Sequence, residues 1–415
     1  MFGLVDGNNF YVSCERAFDP TLIGKPVIVL SNNDGCAIAR SAEAKALGIK
    51  MGEIWHLSKR RPEFQGVIAM SSNYALYGDM SRRVFEVLSE NFTRVEPYSI
   101  DEMFVDLTAF ARADYCRRVR DQVRRITKIP TCIGIGPTKT LAKLANKYAK
   151  TATTLGGVAD FSDDALRREA FAEMPIDEIW GVGRAAQTKL NGLGIFTVAQ
   201  FAAFPSASVR KLMTVTGQRT HAELNGLSCM PLSLVPSQRK TVSVTRAFGR
   251  PVEVWDDMRE TLAAHASRAA EKVRQHGLEA CAMQVFFHTN PHDGTPFYNA
   301  QRAFEIEPTA DSLALIRHAV GAARSMWRPG LKYAKAGVIL PDLVLASEAP
   351  RDLLPTVDPV KSEKLMMALD GLNARFGRGT IKPGGIRAAP PWAARANNRS
   401  PRYTTRLDDL MEVRA

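Results

Sequence analysis

Short apolar runs separated by polar turns open the chain and predict alternating strands and helices. Residues 2–5 are apolar and lead into Asp6, a pattern typical of a buried strand that presents a carboxylate at its end. A second strand is predicted over residues 26–30, and an alanine-rich helix over residues 37–47 with Gly48 as its C-cap.

The region around residue 100 continues this alternation. Strands are predicted over residues 95–100, 103–107 and 131–135, and helices over residues 115–126 and 138–150. Strand, helix, paired strands, helix and strand is the order of a ferredoxin-like sheet. We expect this sheet to carry its helices on one face.

The pattern in the second half of the chain predicts a helical region and then a second α/β domain. Short helices are predicted over residues 162–229, around the sequence WGVGRAAQTKLNGLGIFTVAQF. From residue 241 the elements follow a β-α-β-β-α-β order, which predicts a second small α/β domain. From residue 346 the chain is proline-rich and irregular, with one helix over residues 362–376 and then a basic tail.

Charge and cysteine usage narrow the classes of function. The chain has 415 residues, and its 55 Lys and Arg against 43 Asp and Glu give a net charge of +12. Such a surplus indicates a polyanionic partner: nucleic acid, an anionic membrane or an acidic protein. No apolar run approaches the ~20 residues of a membrane-spanning helix, and no signal peptide is expected. The six cysteines are scattered without a C-x-x-C pair, so we expect reduced thiols and a cytoplasmic location.

Three carboxylates are the strongest candidates for chemistry. Asp101 and Glu102 are adjacent at a predicted strand junction, and Asp6 ends the first predicted strand. Neighbouring carboxylates repel one another unless a cation lies between them, and two Mg²⁺ ions can activate an attacking oxygen and stabilise a leaving one. The alternative is that Asp101 and Glu102 are solvated turn residues and Asp6 is a cap. Asp106 is a weaker fourth candidate, expected to face solvent.

Four lysines share one face of the helix predicted over residues 138–150. They follow the glycines of GIGPTKT, so a phosphate could meet backbone N–H groups as well as ammonium groups. The sequence is not a P-loop, because G-x-x-x-x-G-K-[ST] is absent, and a solvated helix face is the alternative. The lysines are Lys139, Lys143, Lys147 and Lys150.

Glycines and aromatic residues form two further candidate groups. GVG and LNGLG, near residue 190, could join two helices so that backbone amides approach a DNA phosphate without reading a base. A tight turn in a structural bundle is the alternative. Phe10 and Tyr11 follow Asp6, and Tyr74 and Tyr77 lie in SSNYALYGD. Each of these aromatic side chains could equally be a core residue.

Seven motifs extend the pattern along nearly the whole chain. They are DGNNFYVSCE (6–15), ARSAEAKALGIKMG (39–52), SSNYALYGDMS (71–81), YSIDEMFVDLT (98–108), GPTKTLAKLANKYAK (136–150), WGVGR (180–184) and SPRYTTRLDDL (400–410). In this order they resemble the Y-family translesion DNA polymerases. SIDE with an upstream D-x-N-N-F-Y is the most specific of them.

The resemblance implies an α+β multidomain fold, a right-hand polymerase. Its parts would be a ferredoxin-like palm, small fingers, a helical helix-hairpin-helix thumb and a β-α-β-β-α-β little finger. The implied domains are the palm at 1–20 and 76–165, the fingers at 21–75, the thumb at 166–235, a linker at 236–240, the little finger at 241–345 and a C-terminal extension at 346–415.

The resemblance also implies a reaction and the residues that perform it. The primer 3′-hydroxyl would attack the α-phosphate of a dNTP, and pyrophosphate would leave. Asp6, Asp101 and Glu102 would be catalytic and would hold two Mg²⁺ ions, with the Gly7 carbonyl as a further metal ligand. Tyr11 would be the steric gate, whose ring clashes with the 2′-hydroxyl of a ribonucleotide.

Further residues are implied to hold the nucleotide and the DNA. Lys45 and Lys150 match positions that neutralise the triphosphate, and Ala42 stands where the family often has a tyrosine. Ile38 and Ala39 would cover the nascent base pair. The implied nucleotide-binding residues are Gly7, Phe10, Ile38, Ala39, Lys45 and Lys150. The implied DNA-binding residues are Gly181, Gly183, Arg184, Gly192 and Gly194.

The partners implied are primer-template DNA, a dNTP, an UmuD′-like dimer and RecA, in low-fidelity synthesis past damaged bases during an SOS response. A clamp-binding peptide is expected after the little finger. There the sequence SEAPRDLLPTVD keeps Leu353 and Leu354 but lacks the Gln and the aromatic anchor. No region for proofreading remains.

Two rival interpretations make different predictions. A non-catalytic Y-family-like DNA-binding scaffold would lack the carboxylates or the steric gate, and both are present in the sequence. Another palm-fold nucleotidyl enzyme, such as a cyclase, would need neither a DNA-binding thumb nor a basic tail. The sequence therefore favours the polymerase.

Overall fold

Residues 1–236 and 397–415 form one unit of the computed structural model, and residues 237–396 form a second. The structure describes residues 1–108, 112–235, 238–292, 294, 296–351, 358–387 and 390–410. Within these ranges, no helix has both the length and the apolar character needed to cross a membrane.

The first unit combines two sheets with helices. Its strands in the described ranges are β1 (Phe2–Gly7), β2 (Val27–Leu30), β3 (Ala37–Arg40), β4 (Ile68–Ser71), β5 (Val95–Pro97), β6 (Glu102–Asp106), β7 (Thr131–Gly136) and β8 (Val158–Asp160). Its helices there are α1 (Phe10–Phe18), α2 (Ala42–Ala46), α3 (Trp55–Ser58), α4 (Tyr74–Asn91), α5 (Arg112–Thr127), α6 (Lys139–Thr151), α7 (Asp164–Glu173), α8 (Arg184–Asn191), α9 (Val198–Ala203) and α10 (Ser206–Leu224).

Five strands form the palm sheet, in the order β5-β6-β1-β7-β8. β1 and β7 are buried along almost their whole length rather than at alternate residues. Val5 packs with α1, α4 and α5 on one face, whereas Leu4, its neighbour in β1, packs with Ala142 of α6 on the other. The expectation of helices on one face only is wrong, because a strand buried on both faces needs cover on both.

The fingers sheet has the order β3-β2-β4, with β3 antiparallel and β4 parallel to β2. The helix predicted over residues 37–47 is wrong in its first part, because residues 37–40 pair with β2 as a strand. The helix α2 begins only after Ser41, whose hydroxyl accepts a 3.1 Å hydrogen bond from the Ala44 N–H. Gly48 follows α2 with a φ of 83°, the conformation expected near a helix end.

The run of short helices predicted after residue 162 is confirmed as α7 to α10. They share one core, to which Phe171, Leu190 and Phe201 contribute. Leu141 and Leu144 of α6 belong to the same core. The helix that follows β7 therefore packs on the palm sheet with one side and on the helical region with the other.

The second unit has the predicted β-α-β-β-α-β order, with two additions. Its elements in the described ranges are β9 (Thr241–Val252), α11 (Trp255–Arg274), β10 (Leu278–Thr289), β11 (Asn299–Thr309), α12 (Ser312–Met326), β12 (Tyr333–Pro341), β13 (Leu343–Leu345) and α13 (Pro359–Phe376). The sheet order is β11-β10-β12-β9, and β13 also pairs with β10. Burial along β10 is close to alternate, since one face packs on α11 and α12.

The chain after residue 346 is divided between the two units. Up to Ala396 it belongs to the second unit. There Asp370 of α13 accepts two hydrogen bonds, of 2.7 and 2.8 Å, from Arg274, and Trp392 is buried in the core of that unit. From Asn397 it belongs to the first unit. Leu353 and Leu354 of the expected clamp-binding peptide lie outside the described residues.

Candidate active site

Asp6, Asp101 and Glu102 come together at one end of the palm sheet. Asp6 on β1 lies opposite Glu102 on β6 in the antiparallel register. The Gly7 N–H donates a 2.8 Å hydrogen bond to the Asp101 carbonyl, which ties the end of β1 to the residue that precedes β6. Two neighbouring strands, and the residue that directly precedes one of them, therefore carry the three carboxylates that the sequence singled out.

Burial makes the Asp6 carboxylate a costly charge. The residue is 9% exposed, and burial raises its pKa to about 6. The Lys150 ammonium, 2.7 Å from Asp6 Oδ2, works against this rise in pKa, whereas the charges of Glu102 and Asp101 add to it. The three carboxylates thus repel one another electrostatically, as expected for a site that is completed by cations.

Each of the other two carboxylates also has a partner in the protein. Lys143 Nζ donates hydrogen bonds of 2.9 and 2.8 Å to the two oxygens of Glu102. The Ser99 hydroxyl donates a 2.6 Å hydrogen bond to Asp101 Oδ1. In the part of the chain that the structure describes, no three acidic, His or Cys side chains are grouped closely enough to hold a metal ion. The side chains point toward their own donors instead.

The donor set nevertheless fits a hard divalent cation. The site supplies only oxygen atoms, which is what Mg²⁺ prefers. Two ammonium groups, those of Lys143 and Lys150, already compensate the negative charge of Glu102 and Asp6. Positive charge is thus favoured at this end of the sheet, and an ion of the right size would take over a role that the lysines perform here.

Tyr11 lies on the first turn of α1, close to this carboxylate group. Its ring stacks on that of Tyr77 with a centroid distance of 4.5 Å and an angle of 16°. Tyr74 packs edge-on against the same ring at 6.0 Å. Tyr11 is half-buried, and burial raises the pKa of its hydroxyl. Tyr77 is a fully buried core residue, as the alternative expected, and Tyr11 and Tyr74 pack against it to form one aromatic group.

Phe10 differs from its neighbour because its side chain is buried in the palm core and only 5% exposed. A Cβ added to Gly7 would lie 2.7 Å from Phe10 Cδ2, so a glycine is needed where β1 turns into α1. Phe10 therefore packs in the core next to Gly7, at the end of the strand that carries Asp6.

Lys45 brings a positive charge from the fingers toward the carboxylates. Its ammonium donates a 2.6 Å hydrogen bond to Asn9 Oδ1. The pKa of Lys45 is lowered first by burial and then by the positive charges of Arg40, Lys150 and Lys147. A group of cations beside a carboxylate site is suited to a polyanionic ligand such as a triphosphate.

Ile38 and Ala39 lie on β3 of the fingers sheet rather than on a helix. Ala39 is 8% exposed and Ile38 is half-buried against the palm core. Both residues pack against the same core cluster, and the pairing of β3 with β2 shifts in register between Ala39 and Ala37.

The lysine face of α6 is confirmed as a face, but its lysines are bound to acids. Lys139 pairs with Glu96 at 2.6 Å and is only 5% exposed. Lys147 pairs with Glu178 at 2.8 Å. Together with Lys143 and Lys150, these pairs connect one helix to four acidic residues. The alternative of a solvated helix face fails for the buried Lys139, whereas Lys147 and Lys150 are exposed as well as paired.

The glycines of the helical region surround a short helix that is open to solvent. Gly183 is the N-cap of α8, and Gly181 and Gly194 have φ angles of 92° and 77°, which favour glycine. All members of the predicted DNA-binding group are exposed, which a phosphate contact requires. They are Gly181, Gly183, Arg184, Gly192 and Gly194.

Sequence reasoning missed three contributors to the site. Asn9 has a left-handed backbone, with a φ of 48°, and accepts the Lys45 hydrogen bond; its place in a D-G-N-N turn could have indicated this. The role of Lys143 as the partner of Glu102 was not assigned. Glu15, which is 1% exposed, accepts a 2.6 Å hydrogen bond from the Tyr77 hydroxyl, and no sequence pattern indicates that pair.

Comparison with known structures and families agrees with this arrangement. A Y-family DNA polymerase chimera of Dbh and Dpo4 superposes with a TM-score of 0.67 at 19% identity, covering 83% of this chain and all (100%) of that one. The fold is therefore that of a Y-family DNA polymerase. Family models match at residues 5–147 (impB/mucB/samB family), 165–195 (IMS family HHH motif), 239–353 (impB/mucB/samB family C-terminal domain) and 363–413 (a domain of unknown function).

Curated relatives narrow the class to one family. The chain is 42% identical to Protein UmuC of Salmonella typhimurium, with 100% of both chains covered. It is 39% identical to Protein MucB of Escherichia coli over 98% of this chain and 97% of that one. DNA polymerase IV 1 of Bacillus subtilis is 32% identical over 55% of each. The chain belongs to the impB/mucB/samB family.

Proposed function

We propose that the chain is a template-directed DNA polymerase that synthesises past damaged bases with low fidelity, in DNA repair during an SOS response. Three carboxylates at one end of the palm sheet, beside a half-buried tyrosine and a group of cations, carry this proposal. Membership of a family that includes UmuC and MucB, and similarity to DNA polymerase IV, support it.

Asp6, Asp101 and Glu102 are the proposed catalytic residues. Together with the Gly7 carbonyl they would hold two Mg²⁺ ions, whose charge would favour the ionised attacking and leaving oxygens. The primer 3′-hydroxyl loses its proton to solvent, its oxygen forms a bond to the α-phosphorus of the dNTP, and the bond to the bridging oxygen breaks so that pyrophosphate leaves with the electron pair. Lys150 and Lys143 keep the carboxylates oriented until these ligands bind.

The nucleotide is held between the fingers and Tyr11. Lys45 and Lys150 contact the triphosphate, since Lys150 pairs with Asp6 and Lys45 bonds Asn9 in the turn that follows Asp6. Ile38 and Ala39 cover the base pair. The Tyr11 ring, braced by Tyr77, lies under the sugar and excludes a 2′-hydroxyl. Phe10 supports the nucleotide from the palm core.

The exposed glycines on either side of α8 contact phosphates of the primer-template duplex without reading bases. Arg184 adds a charge at the start of that helix. The palm, fingers, thumb, linker and little finger are proposed at the boundaries given by the sequence, whereas the extension at 346–415 is divided between the two units at Asn397.

An UmuD′-like dimer and RecA are the proposed protein partners, and a sliding clamp is a further one whose peptide is degenerate. The similarity to UmuC supports the first two. A location in the cytoplasm of a bacterium belongs to the same proposal and rests on the bacterial relatives.

Primer extension tests this function. The full chain is incubated with Mg²⁺, dNTPs and a primed template, either undamaged or with an abasic site, with and without an UmuD′-like dimer and RecA. Extension by the wild type and none by Asp101→Asn is the expected result. DNA binding without extension in every reaction would favour a non-catalytic scaffold.

A further inference from the structure

The C-terminal tail from Asn397 lies along the edge of the fingers sheet. Ser71, the last residue of β4, donates its N–H to the Asn398 carbonyl at 3.0 Å, and its hydroxyl accepts the Asn398 N–H at 3.0 Å. Ser71 and Arg399 form a parallel bridge. The tail thus pairs with the last residue of β4, the edge strand of the sheet β3-β2-β4, through one isolated bridge.

Asn73 links the tail to the start of α4. Its side-chain oxygen accepts the Leu76 N–H and so caps the helix. Its side-chain NH₂ group donates to the tail, at 3.1 Å to the Ser400 carbonyl, 2.9 Å to the Ser400 hydroxyl and 3.1 Å to the Pro401 carbonyl. Asn73 is 1% exposed, so these groups have no water to replace a lost partner.

Glu15 accepts a hydrogen bond from Ser400 of the tail. The carboxylate is buried, with the residue 1% exposed. Its Oε1 accepts a 2.6 Å hydrogen bond from the Tyr77 hydroxyl and a 3.1 Å hydrogen bond from the Ser400 hydroxyl. Burial raises the pKa of Glu15, and these two hydrogen bonds oppose the rise. A buried carboxyl group is held in one orientation only when its donors are in place.

Tyr77 connects Glu15 to Tyr11, the residue proposed to face the nucleotide. Its hydroxyl is fixed by Glu15, and its ring stacks on Tyr11 at 4.5 Å. Tyr74, from the same first turn of α4, packs edge-on against Tyr11 at 6.0 Å. The α4 turn that Asn73 caps therefore supplies two of the aromatic neighbours of Tyr11, and Phe10 is a third.

We propose that the C-terminal tail at residues 397–401 is a positioning element for the nucleotide pocket, which acts on Tyr11 through Ser400, Glu15 and Tyr77. The inference rests on the proposed function, because it assumes that Tyr11 faces the nucleotide sugar. It gives a role to part of a region that matches a domain of unknown function. Ser400 is a positioning residue, since no contact with the nucleotide is assigned to it.

The test compares Ser400→Ala with wild type in the full chain, with the UmuD′-like dimer and RecA present. Steady-state incorporation of one dNTP and of the matching ribonucleotide gives kcat and KM for each. Ser400→Ala removes the hydroxyl that donates to Glu15 and accepts from Asn73, and it leaves the two backbone contacts of Asn73 intact. We expect the ratio of kcat/KM for ribonucleotide over dNTP to rise about 3- to 10-fold, the range that loss of one hydrogen bond to a buried carboxylate can produce.

Three further variants test the proposed series of contacts from Ser400 through Glu15 and Tyr77 to Tyr11. Tyr77→Phe keeps the ring but removes the donor to Glu15, and should raise the same ratio. Ser400→Thr restores a hydroxyl and should return the ratio toward the wild-type value. Arg406→Ala is the matched control: this exposed residue of the same tail pairs with Asp408 and Asp409 and should leave the ratio unchanged.

Two outcomes distinguish this inference from the proposed function. If Tyr11→Ala admits ribonucleotides but Ser400→Ala and Tyr77→Phe discriminate as wild type does, the tail has no positioning role and the inference is overturned. The inference is also overturned if these two variants lower the melting temperature without changing the ratio, since support of the fold alone would have that effect. If the wild-type chain shows no incorporation, or Tyr11→Ala leaves sugar selection unchanged, the proposed function itself fails.

Discussion

Lys143 donates a hydrogen bond to each carboxylate oxygen of Glu102, at 2.9 and 2.8 Å. The same helix, α6, carries Lys150 to Asp6 at 2.7 Å. A single helix therefore supplies the positive charge that allows two of the three site carboxylates to lie near each other. The ammonium group of Lys143 also lies 4.4 Å from the centre of the Tyr98 ring, which restricts its position further.

Asp101→Asn should abolish nucleotide addition and leave DNA binding nearly unchanged. The substitution removes a charge at the carboxylate site, and the exposed glycines near α8, proposed to contact DNA, are elsewhere in the chain. Primer extension and a DNA titration at fixed salt measure the two properties separately.

Asp106→Asn is the matched control for that variant. Asp106 ends the same strand, β6, but hydrogen-bonds to Thr108 and pairs with Arg94 at 3.7 Å instead of joining the site. The activity of Asp106→Asn should stay within about 2-fold of wild type. A surface substitution outside the site usually changes a free energy by no more than about 0.5 kcal/mol. Equal loss of activity and DNA binding in Asp101→Asn would argue against the separation of the two properties.

Tyr11→Ala should allow ribonucleotides to be incorporated. The alanine removes the ring that stacks on Tyr77 and is proposed to lie under the sugar. Tyr11→Phe, which keeps the ring, should retain sugar selection. Single-nucleotide incorporation with a dNTP and the matching ribonucleotide provides the measurement, and a ribonucleotide preference that is the same in all three proteins would rule out the gate.

His265 should make the stability of the second unit depend on pH. Burial, and then the charge of Arg246, lower its pKa from 6.5 to about 4, and its Nδ1 has no hydrogen-bond partner among the described residues. The unfolded chain therefore binds a proton between these values that the folded chain does not. The free energy of unfolding should fall as the pH falls from 6.5 to about 4, and this one residue should contribute about 3 kcal/mol.

Urea unfolding of wild type and His265→Gln across this range isolates that contribution, because glutamine does not titrate. The difference between the two free energies of unfolding should change with pH in the stated direction. His292→Gln, at an exposed histidine, is the control and should parallel wild type. A constant difference between wild type and His265→Gln would mean that His265 is not held neutral.

Gly134→Ala should destabilise the first unit. A Cβ on Gly134 would lie 2.0 Å from the Asn146 nitrogen and 2.1 Å from the Ala142 oxygen, both backbone atoms of α6. Either α6 or β7 must move, at a cost of about 1–3 kcal/mol or more. Because α6 carries Lys143 and Lys150, activity should fall as well. Thermal unfolding measures the stability.

Gly78→Ala is the corresponding control in helix α4, where an added Cβ meets nothing within 4 Å. Alanine there should leave stability unchanged or raise it by up to about 1 kcal/mol, since alanine has the higher helix propensity. If Gly134→Ala melted at the wild-type temperature, close packing between α6 and β7 would be disproved.

Much of the fold could be predicted from the chain because its signals are local. Residues 2–5 and Asp6 have the pattern of a strand that ends in a carboxylate, and β1 has that form. The helix predicted over residues 138–150 is found as α6 (Lys139–Thr151), since its apolar spacing is regular. Residues 37–40 were assigned to a helix because alanines favour one, and only pairing with β2 makes them a strand.

The candidates for the chemistry could be identified from the chain alone, since residue types, spacing and motifs are its own properties. Asp6, Asp101 and Glu102 were found in this way. Only the tertiary structure decided which residues lie together: Lys143 with Glu102, Lys150 with Asp6, and Ser400 with Glu15 across 385 positions. The physical reason is that such contacts depend on the packing of distant segments, and no local periodicity records which segments will meet.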